Sequence, residues 1–231
     1  MSNLYLILIS FVAYLVGSFP TAYLVVKKIT GQDIRKVGSG NIGAMNTVRA
    51  LKNFGKEKLA IIGFLAVLII DMTKGALAVF LAQRLQFLDY NMTLAVIFAA
   101  FFVVLGHNYS IFLKFSGGRG AACLIGILLY LNILSLLVWG LPVILASILA
   151  QIILEKTGFE KKINWKKISE IFKILGSQMA GRMVGLIIAP IPLYFYNPEV
   201  FLPIAAGTIL LLIKNISRFK GYFLKEKTYG E

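Results

Sequence analysis

The stretch Gly38-Ser39-Gly40-Asn41-Ile42-Gly43-Ala44-Met45-Asn46, followed by Arg49, gathers backbone N–H groups, short polar side chains and a forked cation in one place. That set suits a phosphate: successive main-chain amides form an anion nest, and a guanidinium adds paired charge-assisted bonds. A second stretch of the same character, Lys114-Phe115-Ser116-Gly117-Gly118-Arg119-Gly120, follows the pair His107-Asn108. Arg119, set between glycines, can reach an anion with little steric shielding. The plainer reading of each stretch is a tight turn at a membrane edge, with Arg49 on lipid headgroups. The full string Ser39-Gly40-Asn41-x-Gly43-Ala44-x-Asn46-x-x-Arg49 favours a substrate site.

Two further groups of residues carry chemistry. Asp71 and Lys74 are three apart inside an apolar run, so they share one helical face. Ionised groups in a membrane helix cost about 2.5–3.5 kcal/mol each on insertion scales, which favours either mutual pairing or a polar substrate pocket. Gly75 beside them allows close approach of a neighbouring helix. Asn215-Ile216-Ser217-Arg218-Phe219-Lys220-Gly221 ends the last apolar run, and taken locally it reads as a basic stop-transfer flank. His107 is the only histidine, so a Ser-His-Asp triad would have to use it. A single His at the end of an apolar run is either a hydrogen-bonded structural group or a general base. Cys123 is the only cysteine, so no internal disulfide forms, and no Cys/His pattern predicts a metal site.

The elements that position these residues are membrane helices. Hydrophobic residues make up 58% of the 231 and charged ones 15%, with a mean hydropathy of +0.82, more apolar surface than a water-soluble domain of this length can hide. The net charge of +14 is divided into short clusters between apolar runs. Such clusters serve orientation and attraction to anionic membrane lipids; nucleic acid would call for a continuous basic face. At about 20 residues per crossing, seven spans are expected, near 4–26, 58–82, 92–113, 121–138, 140–154, 181–196 and 199–214. Residues 1–10 hold no basic residue, so the first run is read as a retained span. The run from Ala121 to Leu154 would rise about 50 Å as one helix, too far for a single crossing. A break is therefore expected at Trp139-Gly140-Leu141-Pro142.

With the N-terminus outside, the basic clusters around residues 27–58, 114–119, 156–182 and 214–227 all fall on the cytoplasmic side, as do both Gly-rich loops. The expected architecture is thus an all-α bundle of seven transmembrane helices in a single membrane domain, with the C-terminus cytoplasmic. Residues 155–180 form the one sizeable insert. Ile163, Lys166, Lys167, Glu170, Ile171 and Ile174 predict an amphipathic helix with a basic face on the cytoplasmic leaflet.

In these motifs the chain resembles the bacterial acyl-phosphate-dependent glycerol-3-phosphate acyltransferases. The matching residues are the 39–49 string, Asp71-x-x-Lys74-Gly75, Gly106-His107-Asn108 with Phe112-Leu113-Lys114-Phe115 and Gly117-Gly118-x-Gly120, and Asn215-Ile216-x-Arg218. The resemblance implies a multi-pass enzyme of the bacterial inner membrane with its site facing the cytoplasm. It would move an acyl group from acyl phosphate to glycerol 3-phosphate, releasing lysophosphatidic acid and phosphate, in phospholipid biosynthesis. No cofactor is implied. Ser39, Arg49, Lys114, Arg119 and Asn215 would be the catalytic set. Gly40, Asn41, Gly43, Asn46, Lys74, His107, Asn108, Gly117, Gly118, Gly120 and Arg218 would bind substrate. The chain departs from the family pattern at Ser110, where Pro is usual, at Arg119, where Lys is usual, and at Leu212, where the family has His. The last departure keeps open a paralogue with another acceptor or a non-catalytic lipid-binding role. An anion transporter is a third reading, but no repeated halves with paired broken helices are visible.

Overall fold

The computed structural model describes residues 2–84, 91–167, 170, 174 and 176–224. Among these, the helices are α1 (Ser2–Ser18), α2 (Thr21–Thr30), α3 (Ala44–Asn53), α4 (Glu57–Arg84), α5 (Met92–Asn108), α6 (Ala121–Leu131), α7 (Ile133–Lys156), α8 (Met179–Ile188), α9 (Pro190–Tyr196) and α10 (Pro198–Phe223). Five stretches are long and apolar enough to cross a membrane: Leu4–Thr30, Glu57–Arg84, Ile133–Lys156, Met179–Tyr196 and Pro198–Phe223. Helices α5 and α6 are equally apolar but shorter. Large side chains such as Ile7, Phe11, Ile61, Leu137 and Phe195 are exposed on the outside of this bundle. Water would oppose that arrangement and lipid accepts it. The protein is an integral membrane protein.

Glycines build three of the helix interfaces, two of them reciprocally. A Cβ on Gly17 of α1 would lie 2.0 Å from the Val103 carbonyl oxygen of α5, and one on Gly106 of α5 would lie 2.2 Å from the Tyr14 carbonyl of α1. Gly75 and Gly126 do the same for α4 and α6, at 2.0 Å from the Cys123 carbonyl and 1.9 Å from that of Met72. Gly181 and Gly185 of α8 sit against the backbone of α7 at Ala146 and Val143. Between lipid-solvated helices, close backbone approach supplies the dispersion contacts that hydrophobic exclusion cannot. The close packing expected at Gly75 is what the structure shows. The main apolar core runs through α1, α4, α5, α6 and α10 and takes in Trp139 of α7, Leu186 of α8 and Leu193 of α9, and a smaller one gathers Ala22, Val26, Ile34, Ile42, Ala50, Val67 and Leu113.

The expected break at Trp139–Pro142 is not there. Helix α6 ends at Leu131, α7 begins at Ile133, and Pro142 sits inside α7. Asn132 turns the chain: its backbone is extended (φ −167°) and its side-chain oxygen accepts from the Ser135 N–H at 2.8 Å, capping α7. A cap satisfies the orphan amides of a helix start, whereas a proline removes one donor and is tolerated in an apolar helix. The amphipathic helix expected over the insert differs too. Residues 161–167 are not helical and make a turn at 165–166; Ile171 lies outside the described residues, while Glu170 and Ile174 are helical. This segment is tied down by side chains: Glu155 accepts from the Ile163 N–H (3.0 Å), Gln151 donates to the Lys161 carbonyl (3.3 Å), and Tyr222 of α10 donates to Glu160.

Candidate active site

A break in the first membrane stretch starts the site. Pro20 has no N–H, so the ladder is interrupted between α1 and α2, and the Phe19 carbonyl there accepts only the short-range bond from the Thr21 N–H (3.0 Å), which leaves it open to a second donor. Lys74 of α4 fills that gap, donating to the Phe19 carbonyl at 2.6 Å and to Asp71 Oδ1 at 2.6 Å. Asp71 also accepts from the Thr21 hydroxyl (3.2 Å) at the start of α2, where the helix dipole favours a negative charge. His107 Nδ1 stands 3.9 Å from the same carboxylate oxygen. All of these side chains are buried. Of the two readings of Asp71 and Lys74, mutual pairing is realised, and the ammonium of Lys74 is directed to groups of the protein itself.

The two Gly-rich loops meet over this cluster. A Cβ on Gly118 would lie 2.1 Å from His107 Nε2 and 2.6 Å from the Ile42 carbonyl oxygen, so the glycine is squeezed between the ring and the first loop. The Gly118 N–H donates to the His107 carbonyl at 2.9 Å, and Arg35 reaches the Leu113 carbonyl (3.4 Å) from the first loop. Arg35 also pairs with Asp33 (2.6 Å) and holds that carboxyl below its usual range, chiefly through their side-chain hydrogen bond. His107 thus shapes the second loop from beneath.

Asn46 shapes the first. Its side-chain oxygen accepts from the Ser39 N–H (2.8 Å), and its amide donates to the carbonyls of Ile34 (3.2 Å) and Val37 (3.0 Å). Gly38 and Gly40 take positive φ values of 57° and 67°, the bend that lets the loop wrap this amide. Ser39, Asn41 and Arg49 remain half-buried at the surface of the loop, and Gly43 caps α3. Asn46 is therefore a strut of the loop, not one of its outward donors.

The fourth motif joins through α10. Asn108 donates to the Leu210 carbonyl at 3.3 Å, and a Cβ on Gly120 would lie 3.0 Å from both Asn108 Oδ1 and Leu211 Cδ1. Asn108 Oδ1 and Asn215 Oδ1 are buried without a hydrogen-bond partner. Asn215 and Arg119 line a cavity of about 780 Å³, whose walls include Ile125, Leu136, Trp139, Ile144 and Leu186. Burial, then repulsion from Arg218, Arg182 and Arg49, pushes the Arg119 guanidinium down to about 9. It stays protonated near neutrality, and the cost of crowding four guanidinium groups is what a bound anion would relieve.

The structure thus brings Arg49, Arg182 and Arg218 within electrostatic reach of Arg119, which shares the cavity lining with Arg182 and Asn215. Lys114 stays apart: it is exposed on the turn, in the left-handed region at φ 54°, and lines neither the cavity nor the buried cluster. Leu212 packs against the main apolar core, and Lys214 lies 4.0 Å from the Tyr109 ring centroid in a cation–π contact. Arg182, which sequence reasoning counted only as part of a basic cluster, enters the cavity lining beside Arg119. Its one local signal was a cation inside an otherwise apolar stretch.

The chain is similar to several known proteins. A family model described as glycerol-3-phosphate acyltransferase matches residues 7–157. A glycerol-3-phosphate acyltransferase of Wolbachia pipientis is 33% identical over 91% of this chain and 90% of its own length. Glycerol-3-phosphate acyltransferase 2 of Moorella thermoacetica is 45% identical over 60% of this chain, and the enzyme of Thermus thermophilus is 44% identical over 59%. The matched part spans 64% and 62% of those two relatives. Two crystal structures of PlsY (YgiH), an integral membrane glycerol 3-phosphate acyltransferase, share the fold. Its glycerol 3-phosphate form has a TM-score of 0.62 at 21% identity, covering 96% of this chain and 93% of that one. Its lysophosphatidic acid form has a TM-score of 0.63 at 20% identity, with the same coverage. With the family model matching more than half of its residues and the Wolbachia protein aligned along nearly its whole length, this chain belongs to the glycerol-3-phosphate acyltransferase family.

Proposed function

We propose that the protein transfers an acyl group from acyl phosphate to glycerol 3-phosphate, yielding lysophosphatidic acid and inorganic phosphate for phospholipid synthesis. One observation carries the reading: a largely apolar cavity of about 780 Å³ has Arg119 of the second phosphate-type loop, Arg182 and the buried amide of Asn215 in its lining. Such a space fits a fatty chain whose reactive end is anionic. An acyl phosphate is already activated, so the protein need supply neither a covalent nucleophile nor a cofactor. What it must do is hold two anions together and set the acceptor hydroxyl against the carbonyl carbon.

In this mechanism the first loop, with Ser39, Gly40, Asn41, Gly43 and Arg49, and the second loop, with Gly117, Gly118 and Gly120, bind phosphate. Arg119 supplies the positive charge at the cavity mouth, while Asn215 and Arg218 complete the acceptor pocket. Asn46, Asn108, His107 and Lys74 hold the loops and helices in place. The acceptor oxygen attacks the carbonyl carbon, the bond from that carbon to the phosphate oxygen breaks, and the departing phosphate takes the hydroxyl proton. His107 lies beneath the second loop, which favours this substrate-borne base over an imidazole.

Purified protein supplied with palmitoyl phosphate and glycerol 3-phosphate should form lysophosphatidic acid, identified by mass spectrometry. Absence of product from an intact, folded preparation would refute the activity. The packing of Leu212 into the apolar core favours one variation, a different acceptor, because no imidazole reaches the pocket from that position. The same assay with other phosphorylated alcohols separates the two.

We infer further that seven crossings place the N-terminus outside and the site in the cytoplasm of a bacterial inner membrane. Five long stretches and two shorter apolar helices support this, together with the one-sided basic clusters. Helix α6 spans only about 16 Å at 1.5 Å per residue, and one residue links it to α7. Cysteines introduced at Lys36, Ser116 and Lys162 in a Cys123→Ala background should be labelled only from the cytoplasm. Labelling of any one from outside intact cells would overturn the arrangement.

A further inference from the structure

Arg182 stands on the second residue after Ala180 in α8, and three contacts fix where it points. Gln178 caps the helix, its side-chain oxygen accepting from the Ala180 N–H (2.9 Å) and the Gly181 N–H (3.3 Å). The Gln178 amide in turn donates to Gln151 of α7 at 3.4 Å. A Cβ on Gly181 would lie 2.3 Å from the Ala146 carbonyl oxygen, and one on Gly185 would lie 2.5 Å from Val143 Cα, so α8 cannot slide or turn against α7. In that register Arg182 lines the 780 Å³ cavity together with Arg119 and Asn215, and its guanidinium touches Met179 Sδ at 3.0 Å.

Beyond the catalytic set named above, and resting on the proposed acyl transfer, we infer that Arg182 is a specificity-determining residue. It joins Arg119 in holding the phosphate of the acyl donor and so selects donors with a phosphoryl head. The cavity lining has two chemical halves. Most of its residues are apolar, two are arginines, and no Asp or Glu is among the residues that line it. A ligand that satisfies both halves has a long hydrocarbon tail with a dianion attached. Glycerol 3-phosphate has no tail, and its phosphate has Arg49 on the first loop, which does not line the cavity. The phosphate held at the cavity mouth is then the one bonded to the fatty chain. Two guanidinium groups share a dianion well, because each can make paired bonds to it. Repulsion from Arg182 is one of the charges felt by Arg119, which a shared dianion would offset.

The test uses the whole protein in detergent, in a Trp165→Phe background that leaves Trp139 as the single indole. Trp139 lines the cavity, so its fluorescence reports occupancy by hexadecyl phosphate, a donor mimic that cannot transfer its chain. Arg182→Gln should weaken hexadecyl phosphate binding at least tenfold. It should also raise the KM for palmitoyl phosphate at least fivefold, while the KM for glycerol 3-phosphate changes by less than twofold. Arg182→Lys, which keeps the charge without the fork, should recover part of both losses. Unchanged binding in Arg182→Gln, or a rise confined to the KM for glycerol 3-phosphate, would overturn the inference. So would a Lys variant no better than the Gln variant, which would mark a purely structural role. The binding measurement stands apart from turnover, so a wild-type protein that binds hexadecyl phosphate but makes no lysophosphatidic acid would refute the acyl-transfer reading and leave the phosphate contact of Arg182 intact.

Discussion

Arg119→Ala is expected to lower the acyl-transfer rate at least tenfold while leaving the bundle folded. A charge-assisted hydrogen bond contributes about 1.5–3 kcal/mol, and each 1.36 kcal/mol removed from transition-state stabilisation is tenfold in rate. Stability should move little, or upward. Arg119 is half-buried against three other guanidinium groups, so deleting it relieves repulsion in the empty protein. Loss of activity with an unchanged or higher melting temperature is therefore the signature of a ligand-binding charge, opposite to that of a structural one. Arg119→Lys should be mild, since an ammonium still serves a phosphate as a point charge. Arg49→Ala should match Arg119→Ala in rate. An Arg49→Ala enzyme with full activity would remove the first loop from the site.

The largest effect on stability is expected at Asp71. In Asp71→Ala, Lys74 keeps the Phe19 carbonyl but loses its carboxylate partner, and its ammonium is left buried. Breaking a buried pair by removing one member costs about 3–5 kcal/mol, because the other charge remains without compensation. The start of α2 loses its carboxylate as well, since Thr21 donates to the same oxygen. Joint replacement, Asp71→Ala with Lys74→Met, should recover much of the loss, because a well-packed apolar substitute for a buried pair is often neutral. Thermal unfolding in detergent measures all three variants. Equal melting temperatures for Asp71→Ala and the wild type would show that the pair does not hold the α1–α2 break together.

The structure also revises how the polar residues divide their work. Asn46, His107 and Lys74 belong to motifs that look like substrate contacts, yet each directs its side chain or carbonyl to the protein. Asn46 wraps the first loop, His107 supports the second, and Lys74 closes the helix break at Phe19. A motif marks residues that a site needs, without saying whether they touch the ligand or shape the backbone that does.

The membrane class, the family motifs and the shared face of Asp71 and Lys74 were legible in the sequence because each rests on local or compositional physics. A chain this apolar with its charges in clusters belongs in a membrane. Glycines interleaved with Ser, Asn and Arg make anion loops whatever their surroundings, and a spacing of three on a helix brings opposite charges together. The turn between α6 and α7 was not legible. From Ala121 to Leu154 the residues are apolar on every side, so no periodicity marks where a helix ends, and the cap at Asn132 competes with a proline signal ten residues later. Nor could the chain order alone place Arg182 beside Arg119 or leave Lys114 outside. Those positions depend on backbone contacts at Gly181 and Gly185, Gly75 and Gly126, and on the left-handed turn at Lys114. Such contacts join residues far apart in sequence, and only the packed bundle decides which glycines meet.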